Sequence, residues 1–234
     1  NLQPLQDNVQ KVKAEIAKVI VGQNKMIDQL LVAVLSNGHV LLEGVPGVAK
    51  TISAKLLAKT LSLDFSRIQF TPDLMPSDII GTSVFDLSKS TFEFKKGPIF
   101  SNFVLIDEIN SAPAKTQAAL FEVMEERQIT ADGTTYVLDR PFLVIATQNP
   151  IEQEGTYRLP EAQLDRFLFK INIDYPNLTE EIHILQKEND LQSRDKMSAI
   201  ATIISQSHII EFQELVKQIL IEQNLIEYIA KIVL

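Results

Sequence analysis

The feature that most constrains the fold of this chain is an apolar segment that runs through a glycine-containing loop into a helix. The short run His39-Val-Leu-Leu-Glu43 is followed by Gly44-Val-Pro-Gly-Val-Ala-Lys50-Thr51 and then by a helix-compatible stretch from Ile52 to Thr60. A buried strand, a tight loop and a helix in this order are the repeating unit of parallel α/β sheets. The segment therefore predicts a parallel sheet flanked by helices.

The same alternation of short apolar runs and helical patterns continues along the chain. Two helical patterns, around Val9 to Val19 and Met26 to Leu35, precede the first strand. Nearly all-apolar strands are typical of a sheet that is covered on both faces. The further predicted strands are Phe65 to Phe70, Phe103 to Ile106, Phe142 to Thr147 and Leu168 to Ile173, and the helices between them are Pro113 to Glu126 and Pro160 to Phe167.

Two segments with alternating polar and apolar residues interrupt this pattern and predict β-hairpins. Ser83 to Asp86 and Thr91 to Phe94 flank a polar turn. Gln128 to Ala131 and Thr134 to Leu138 flank Asp132-Gly133, which is a strong hairpin turn signal. The sequence thus predicts an α/β core with two inserted hairpins.

A change in composition after Tyr175-Pro-Asn-Leu predicts a second unit. Glu180 to Glu188 and the apolar periodicity from Ile209 to Leu234 read as helices, with a polar loop at 192–196 between them. We therefore divide the chain into an α/β domain at 1–175 and the start of a helical domain at 176–234.

Composition excludes several classes of protein. Lys and Arg number 22 and Asp and Glu number 30, so the net charge of −8 is opposite to the sign that favours binding along nucleic acid. The longest aliphatic run, Leu30 to Leu35, is far shorter than the roughly 18 residues of a membrane-spanning helix. The chain contains no cysteine and no signal-like apolar segment near Asn1, which favours a cytoplasmic location.

The loop after the first strand has the residues that a phosphate site requires. Backbone N–H groups of the loop and the helix N-terminus would surround an anion, Lys50 would reach the β and γ oxygens, and the Thr51 hydroxyl would bind Mg²⁺. Ala49 departs from the usual glycine before the lysine, and its methyl group is compatible with the site if the residue needs no positive φ. The alternative is a surface turn with an incidental lysine.

Two carboxylates follow a buried strand directly, at the edge where parallel sheets bind their ligands. Asp107 could hold the hydration shell of Mg²⁺, and Glu108 could act as the general base that polarises an attacking water. The alternative is an acidic turn that initiates the helix near Pro113.

Two further residues are weaker candidates when considered alone. The Asn149 amide, at the end of the next apolar strand beside Thr147 and Gln148, could orient the attacking water, or it could be an ordinary turn residue before Pro150. Arg166 could be an arginine finger supplied to a neighbouring subunit, or a surface arginine paired with a nearby carboxylate.

Five ordered motifs carry a family resemblance. The chain resembles the ATPase core of the MoxR family of AAA+ proteins, in the helix-2-insert branch, from about Val21 to Asp174. The motifs are Val21-Gly22-Gln23, the loop Gly44 to Thr51, Leu105-Ile-Asp-Glu-Ile-Asn110, Ala146-Thr-Gln-Asn-Pro150 and Leu159-Pro-Glu-Ala-Gln-Leu-Asp-Arg-Phe167.

The resemblance implies a role for each motif. Val21, Gly22 and Gln23 would lie beside the adenine, Asn149 would be sensor 1, and Arg166 would be the arginine finger of a ring, commonly a hexamer. The catalytic set is then Glu108, Asn149 and Arg166, and the metal set is Thr51 and Asp107. The ATP-binding set is Val21, Gly22, Gln23, Gly44, Val45, Pro46, Gly47, Val48, Ala49, Lys50, Thr51 and Ile52.

The function that this resemblance implies is Mg²⁺-dependent ATP hydrolysis coupled to chaperone-like remodelling of other proteins. The two hairpins would be the helix-2 and pre-sensor-1 inserts, whose residues would touch a client protein. A separate protein with a von Willebrand factor A domain is an expected partner. The alternatives are a metal-chelatase-like motor subunit, a nucleic-acid motor, which the net charge disfavours, and a slow nucleotide switch, which the Asp107-Glu108 pair argues against.

Two positions depart from the family pattern. Arg158 stands where the family usually has proline, which adds a positive charge beside the expected subunit interface. The sensor 2 arginine would follow a further helix, so we expect the helical domain to be incomplete at Leu234.

Overall fold

The centre of the molecule is a five-stranded parallel sheet with strand order β2-β5-β8-β1-β9. The structure is a computed structural model, which describes residues 2–44, 50–148, 159–188 and 197–233. The strands of this sheet are β1 His39–Gly44, β2 Phe65–Gln69, β5 Phe103–Asp107, β8 Leu143–Gln148 and β9 Phe167–Ile173. The predicted α/β fold is therefore confirmed.

Helices cover both faces of this sheet. In chain order, the helices of the described part of the chain are α1 Gln3–Ala17, α2 Asn24–Leu35, α3 Lys50–Thr60, α4 Pro76–Ile80, α5 Ala114–Glu126, α6 Glu161–Leu164, α7 Leu178–Glu188, α8 Gln206–Val216 and α9 Gln223–Val233. Two 3₁₀ turns, Pro98–Phe100 and Ile109–Ser111, lie on either side of β5.

The alternation of side chains along each strand divides the core into two layers. On β1, Val40 and Leu42 pack on the face covered by α1, α2 and α3, whereas Leu41 packs on the face covered by α4 and α5. All three side chains are fully buried, because both faces of the sheet are covered. This double burial explains why the strands read as continuous apolar runs.

Both predicted hairpins are present. Strands β3 Gly81–Asp86 and β4 Thr91–Lys96 pair antiparallel, as do β6 Gln128–Ala131 and β7 Thr134–Val137. The second hairpin turns at Asp132 and Gly133, which have φ of 50° and 75°, as its turn type requires.

The two hairpins contact each other through aromatic side chains. The Phe94 and Tyr136 rings stack with their centroids 4.8 Å apart, and both lie beside Phe100. Ser83 also donates a hydrogen bond to Asp132. The two insertions therefore form one joined structure on the surface.

Residues 197–216, which follow the α/β core, pack on the same face of the sheet as α1 and α2. Ile200, Ile204 and Ile209 join the core layer of these helices. The Gln213 amide donates a 2.7 Å hydrogen bond to the carbonyl of Val34, and the Glu15 carboxylate accepts one of 2.9 Å from the amide of Ala201. The division of the chain at 175/176 remains a prediction.

Two elements differ from the prediction. The short helix α4 was not expected, and the single apolar pattern from Ile209 onward forms two helices, α8 and α9, with an interruption at 217–222. In the described ranges, no helix is long and apolar enough to cross a membrane.

Candidate active site

One edge of the sheet, where β1, β5 and β8 end, holds several of the predicted site residues, namely Lys50, Thr51, Asp107 and Glu108. Glu43 is in register with Gln148, and Leu42 with Thr147. Asp107 ends β5, and Lys50 opens α3. Because these strands are parallel, their carboxyl ends bring these side chains to the same crevice.

Lys50 lies across the start of the phosphate loop. Its Nζ donates a 2.7 Å hydrogen bond to the carbonyl of Gly44. Partial burial of the ammonium lowers the pKa of Lys50, and the negative charges of Asp107 and Glu108 oppose this shift. The lysine is thus a cation held close to two acids, ready to bind an anion.

Asp107 is buried, and both of its carboxylate oxygens have partners. The Oδ2 atom accepts a bond from Arg67 Nε at 2.5 Å, and Oδ1 accepts one from the Thr147 hydroxyl at 3.3 Å. The same hydroxyl accepts a 3.0 Å bond from the backbone N–H of Glu108. Thr147 therefore links both acids to the neighbouring strand.

Glu108 adopts a backbone conformation that ends the strand. Its φ and ψ are 56° and 53°, in the left-handed region that a residue with a side chain rarely adopts. The reversal starts the 3₁₀ turn Ile109–Ser111 and leaves the carboxylate exposed, with the Ser111 hydroxyl 3.4 Å from Oε2. Such backbone strain is typical of functional sites.

The residues present fit a Mg²⁺–nucleotide complex. A lysine cation, the Thr51 hydroxyl at the start of α3 and the Asp107 carboxylate are the donor set that such a complex uses. In the described part of the chain, no group of three or more His, Asp or Glu could hold a metal alone.

Gly44 and Gly22 both allow close approaches beside this edge. A Cβ on Gly44 would lie 2.7 Å from the carbonyl oxygen of Ile173, so glycine lets the end of β9 pack closely against the end of β1. Gly22 and Gln23 have φ of 70° and 57°, and a Cβ on Gly22 would lie 2.5 Å from Glu180 Oε1. The predicted adenine-binding segment therefore contacts α7.

A cavity of about 290 Å³ opens beside Gln23, at the carboxyl end of β9. Asn172, Tyr175 and Glu180 line it, so it is polar and lies between α2 and α7. Val21 is half-buried and Ile52 lies on the first turn of α3. The other predicted residues of the site, Val45, Pro46, Gly47, Val48, Ala49 and Asn149, and also Arg158, lie outside the described residues.

Arg166 is not brought to this edge. It directly precedes β9 and lines a cavity of about 540 Å³ with Asn37 and Arg127, at the amino ends of the strands. Its guanidinium forms an ion pair with Glu125 near the end of α5. The six residues of β1 therefore separate Arg166 from Lys50, a distance of roughly 15 Å or more.

A buried histidine supports the wall of this second cavity. His39 Nδ1 accepts a 3.0 Å bond from the amide of Val144, and Nε2 lies 3.1 Å from the carbonyl of Met124. Burial lowers the pKa of His39 to about 4, and the positive charge of Arg127 acts in the same direction. The ring is thus neutral and bonds β1 to β8 and α5.

Sequence reasoning missed Arg67, and it named Thr147 only as a neighbour of Asn149. Arg67 comes from a strand 40 residues before Asp107, so no local spacing connects the two. The available signal was a charged residue inside a predicted strand that begins and ends with phenylalanine.

Comparison with known proteins identifies the family. The family described as "ATPase family associated with various cellular activities (AAA)" matches residues 39–169. Chaperone MoxR1 of Mycobacterium tuberculosis is 48% identical over 219 residues, which are 94% of this chain and 57% of that protein. The chain belongs to the MoxR family of AAA+ ATPases.

Two further relatives support this membership. The Bacillus subtilis protein YeaC, whose own role is uncharacterised, is 46% identical over 95% of this chain and 69% of its own length. The crystal structure of an assigned ATPase from Cytophaga hutchinsonii superposes with a TM-score of 0.83 at 46% identity, over 98% of this chain and 71% of that chain. This MoxR-family chain thus spans between 57% and 71% of the length of these three relatives.

Proposed function

We propose that this chain hydrolyses ATP with Mg²⁺ at the interfaces between subunits of a ring. The observation that carries the proposal is the placement of Lys50, Asp107 and Glu108 at one edge of the sheet and of Arg166 at the opposite edge. Bound Mg²⁺ would supply charge neutralisation on the phosphate oxygens.

The chain's own residues have separate tasks in this proposal. Lys50 binds the terminal phosphates, and Thr51 and Asp107 hold the metal. The exposed carboxylate of Glu108 takes a proton from the attacking water. Thr147 ties the Asp107 carboxylate and the backbone of Glu108 to β8 through its two hydrogen bonds.

The position of Arg166 supports action on a neighbouring subunit. An arginine finger stabilises charge on the transferred phosphoryl group, so it must reach that group directly. In its own chain, Arg166 lies at the far edge of the sheet. A subunit placed with its carboxyl edge against this cavity would receive Arg166, as in the hexameric rings that the family resemblance implies.

We further propose that ATP hydrolysis drives chaperone-like remodelling of a client protein in the cytoplasm. The name of the Mycobacterium tuberculosis relative supports a chaperone role. The β3–β4 hairpin exposes Leu87 and Phe92 near its turn, with 86% and 73% of their surfaces accessible, so it presents an apolar surface. A von Willebrand factor A-domain protein remains the expected partner by resemblance.

The test is steady-state ATP hydrolysis per subunit of the full-length protein, measured over a range of protein concentrations. We expect the rate per subunit to rise steeply with concentration, because assembly completes each site with Arg166. Glu108→Gln provides the background rate. A rate per subunit that does not depend on concentration, in a protein that is monomeric by light scattering, would contradict catalysis at a shared interface.

A further inference from the structure

Arg67 forms the closest polar contact that the structure gives to the Asp107 carboxylate. It lies on β2, the edge strand of the sheet, and its Nε is 2.5 Å from Asp107 Oδ2. The Arg67 side chain is 53% exposed, whereas that of Asp107 is 12% exposed. A half-exposed cation thus covers the acid that is proposed to hold the metal.

The second oxygen of Asp107 is also engaged, by the Thr147 hydroxyl at 3.3 Å. Thr147 is buried on β8, inside the sheet, and also bonds to the backbone of Glu108. Of the two hydrogen-bond partners that the described residues give to the Asp107 carboxylate, Arg67 is the one that lies on an edge strand and is half-exposed. Arg67 is therefore the partner that can leave while the acid keeps its position.

We propose that Arg67 is a positioning residue that competes with Mg²⁺ for Asp107. Before nucleotide binds, the guanidinium compensates the charge of the buried carboxylate and holds its orientation. When Mg²⁺ arrives with ATP, Arg67 yields the carboxylate and moves toward solvent. This inference rests on the proposed Mg²⁺–ATP site.

The charge of Arg67 predicts how its removal changes Mg²⁺-dependent binding of ATP. A guanidinium at ion-pair distance from a metal ligand repels a divalent cation and must be displaced or moved by it. Binding of the metal therefore includes the free energy of breaking the Arg67–Asp107 pair. Removing Arg67 should tighten the metal-dependent part of ATP binding.

The experiment compares the affinity of a fluorescent, non-hydrolysable ATP analogue in EDTA and in saturating MgCl₂. The ratio of the two dissociation constants measures how strongly Mg²⁺ promotes binding. We expect this ratio to be about tenfold larger in Arg67→Gln than in the unaltered protein, with similar affinities in EDTA. Arg67→Lys, which keeps the charge but loses the planar donor geometry, should give an intermediate ratio.

Arg140→Gln is the matched control, because Arg140 is also half-exposed and paired with a carboxylate, Glu214. In Arg140→Gln, the ratio of the dissociation constants in EDTA and in MgCl₂ should equal that of the unaltered protein. An unchanged or smaller ratio in Arg67→Gln would overturn the inference and show a merely structural ion pair. If Arg67→Gln does not fold, Arg67→Lys is measured in its place. A ratio of dissociation constants in Arg67→Lys equal to that of the unaltered protein would then overturn the inference.

This outcome is distinct from failure of the proposed function. If the unaltered protein binds the analogue only weakly and without any effect of MgCl₂, the proposed site itself is wrong. If it binds with a clear effect of MgCl₂ and the Arg67 variants do not differ, only the role of Arg67 is wrong.

Discussion

Lys50 and Glu108 lie at the same edge of the sheet, and their different settings fit the different tasks that we propose for them. Lys50 is half-buried and bonds to Gly44, whereas the Glu108 carboxylate is exposed at a backbone reversal. A cation on the phosphate loop affects binding, and a general base affects only the chemical step.

Lys50→Ala should therefore abolish ATP binding, whereas Glu108→Gln should leave binding intact and lower turnover by at least about 10²-fold. Calorimetric titration with ATP and steady-state hydrolysis measure the two quantities separately. An equal loss of ATP affinity in both variants would contradict this division of roles.

Thr147 makes a second prediction at the scale of single residues. Thr147→Val removes the hydroxyl that bonds Asp107 and Glu108 while keeping the volume of the side chain. Without these bonds the Asp107 carboxylate and the Glu108 backbone lose their fixed position, so we expect turnover to fall by about tenfold or more. Thr147→Ser should restore most of the rate. Equal turnover in the valine and serine variants would show that the hydroxyl has no part in the site.

Strand β1, strand β8 and helix α5 meet at His39, whose buried ring is neutral in the folded protein. In the unfolded chain the ring takes up a proton at its ordinary pKa of 6.5, whereas in the folded chain this requires a pH of about 4. Between pH 6.5 and about pH 4 the unfolded state binds more protons than the folded state does. The free energy of unfolding therefore falls as the pH is lowered through this range.

We expect the free energy of unfolding to be unaffected by His39 above about pH 6.5 and to fall by up to about 3 kcal/mol between pH 6.5 and 4. Urea unfolding across this pH range measures the effect. His39→Gln keeps an acceptor and a donor but does not titrate, and it should show a flatter dependence. The same slope in both proteins would assign the pH dependence to other groups.

The elements that could be predicted from the sequence are those whose signal is local. Strands β1, β5 and β8 are buried on both faces and read as apolar runs, and Asp132-Gly133 marks its hairpin. The interruption at 217–222 was missed because it contains neither glycine nor proline and its apolar residues continue the helical pattern. The five-residue helix α4 is too short to show a period.

The residues of the site also fall into those with a local signal in the sequence and those without one. Lys50, Asp107 and Glu108 could be assigned to this edge from the sequence because each belongs to a motif that directly follows an apolar strand. Arg67 and Glu125 could not, because they reach their partners across 40 and 41 residues of chain. Their pairing depends on which strands and helices become neighbours, and no periodic pattern encodes that choice.

On the scale of the whole molecule, Arg166 and Lys50 occupy opposite edges of one sheet. Arg166→Ala should leave ATP binding unchanged and reduce turnover by about 10³-fold, because the finger acts only in the transition state. When small amounts of this variant are mixed into the unaltered protein, the ATPase activity should fall by more than the fraction of variant subunits. Activity strictly proportional to the unaltered fraction would contradict action on a neighbour.

The opposite placement of these two edges also determines how copies of the chain can join. An interface that sets the carboxyl edge of one sheet against the amino edge of the next is head-to-tail, so its two halves are different surfaces. Such a contact closes into a ring only when the rotation between neighbours divides a full circle, and otherwise it continues as an open helical filament. Arg127 and Asn37 line the cavity beside Arg166. Substitutions there that change the angle between neighbouring subunits should therefore yield spirals and fibres, visible by electron microscopy, instead of symmetric two-fold dimers.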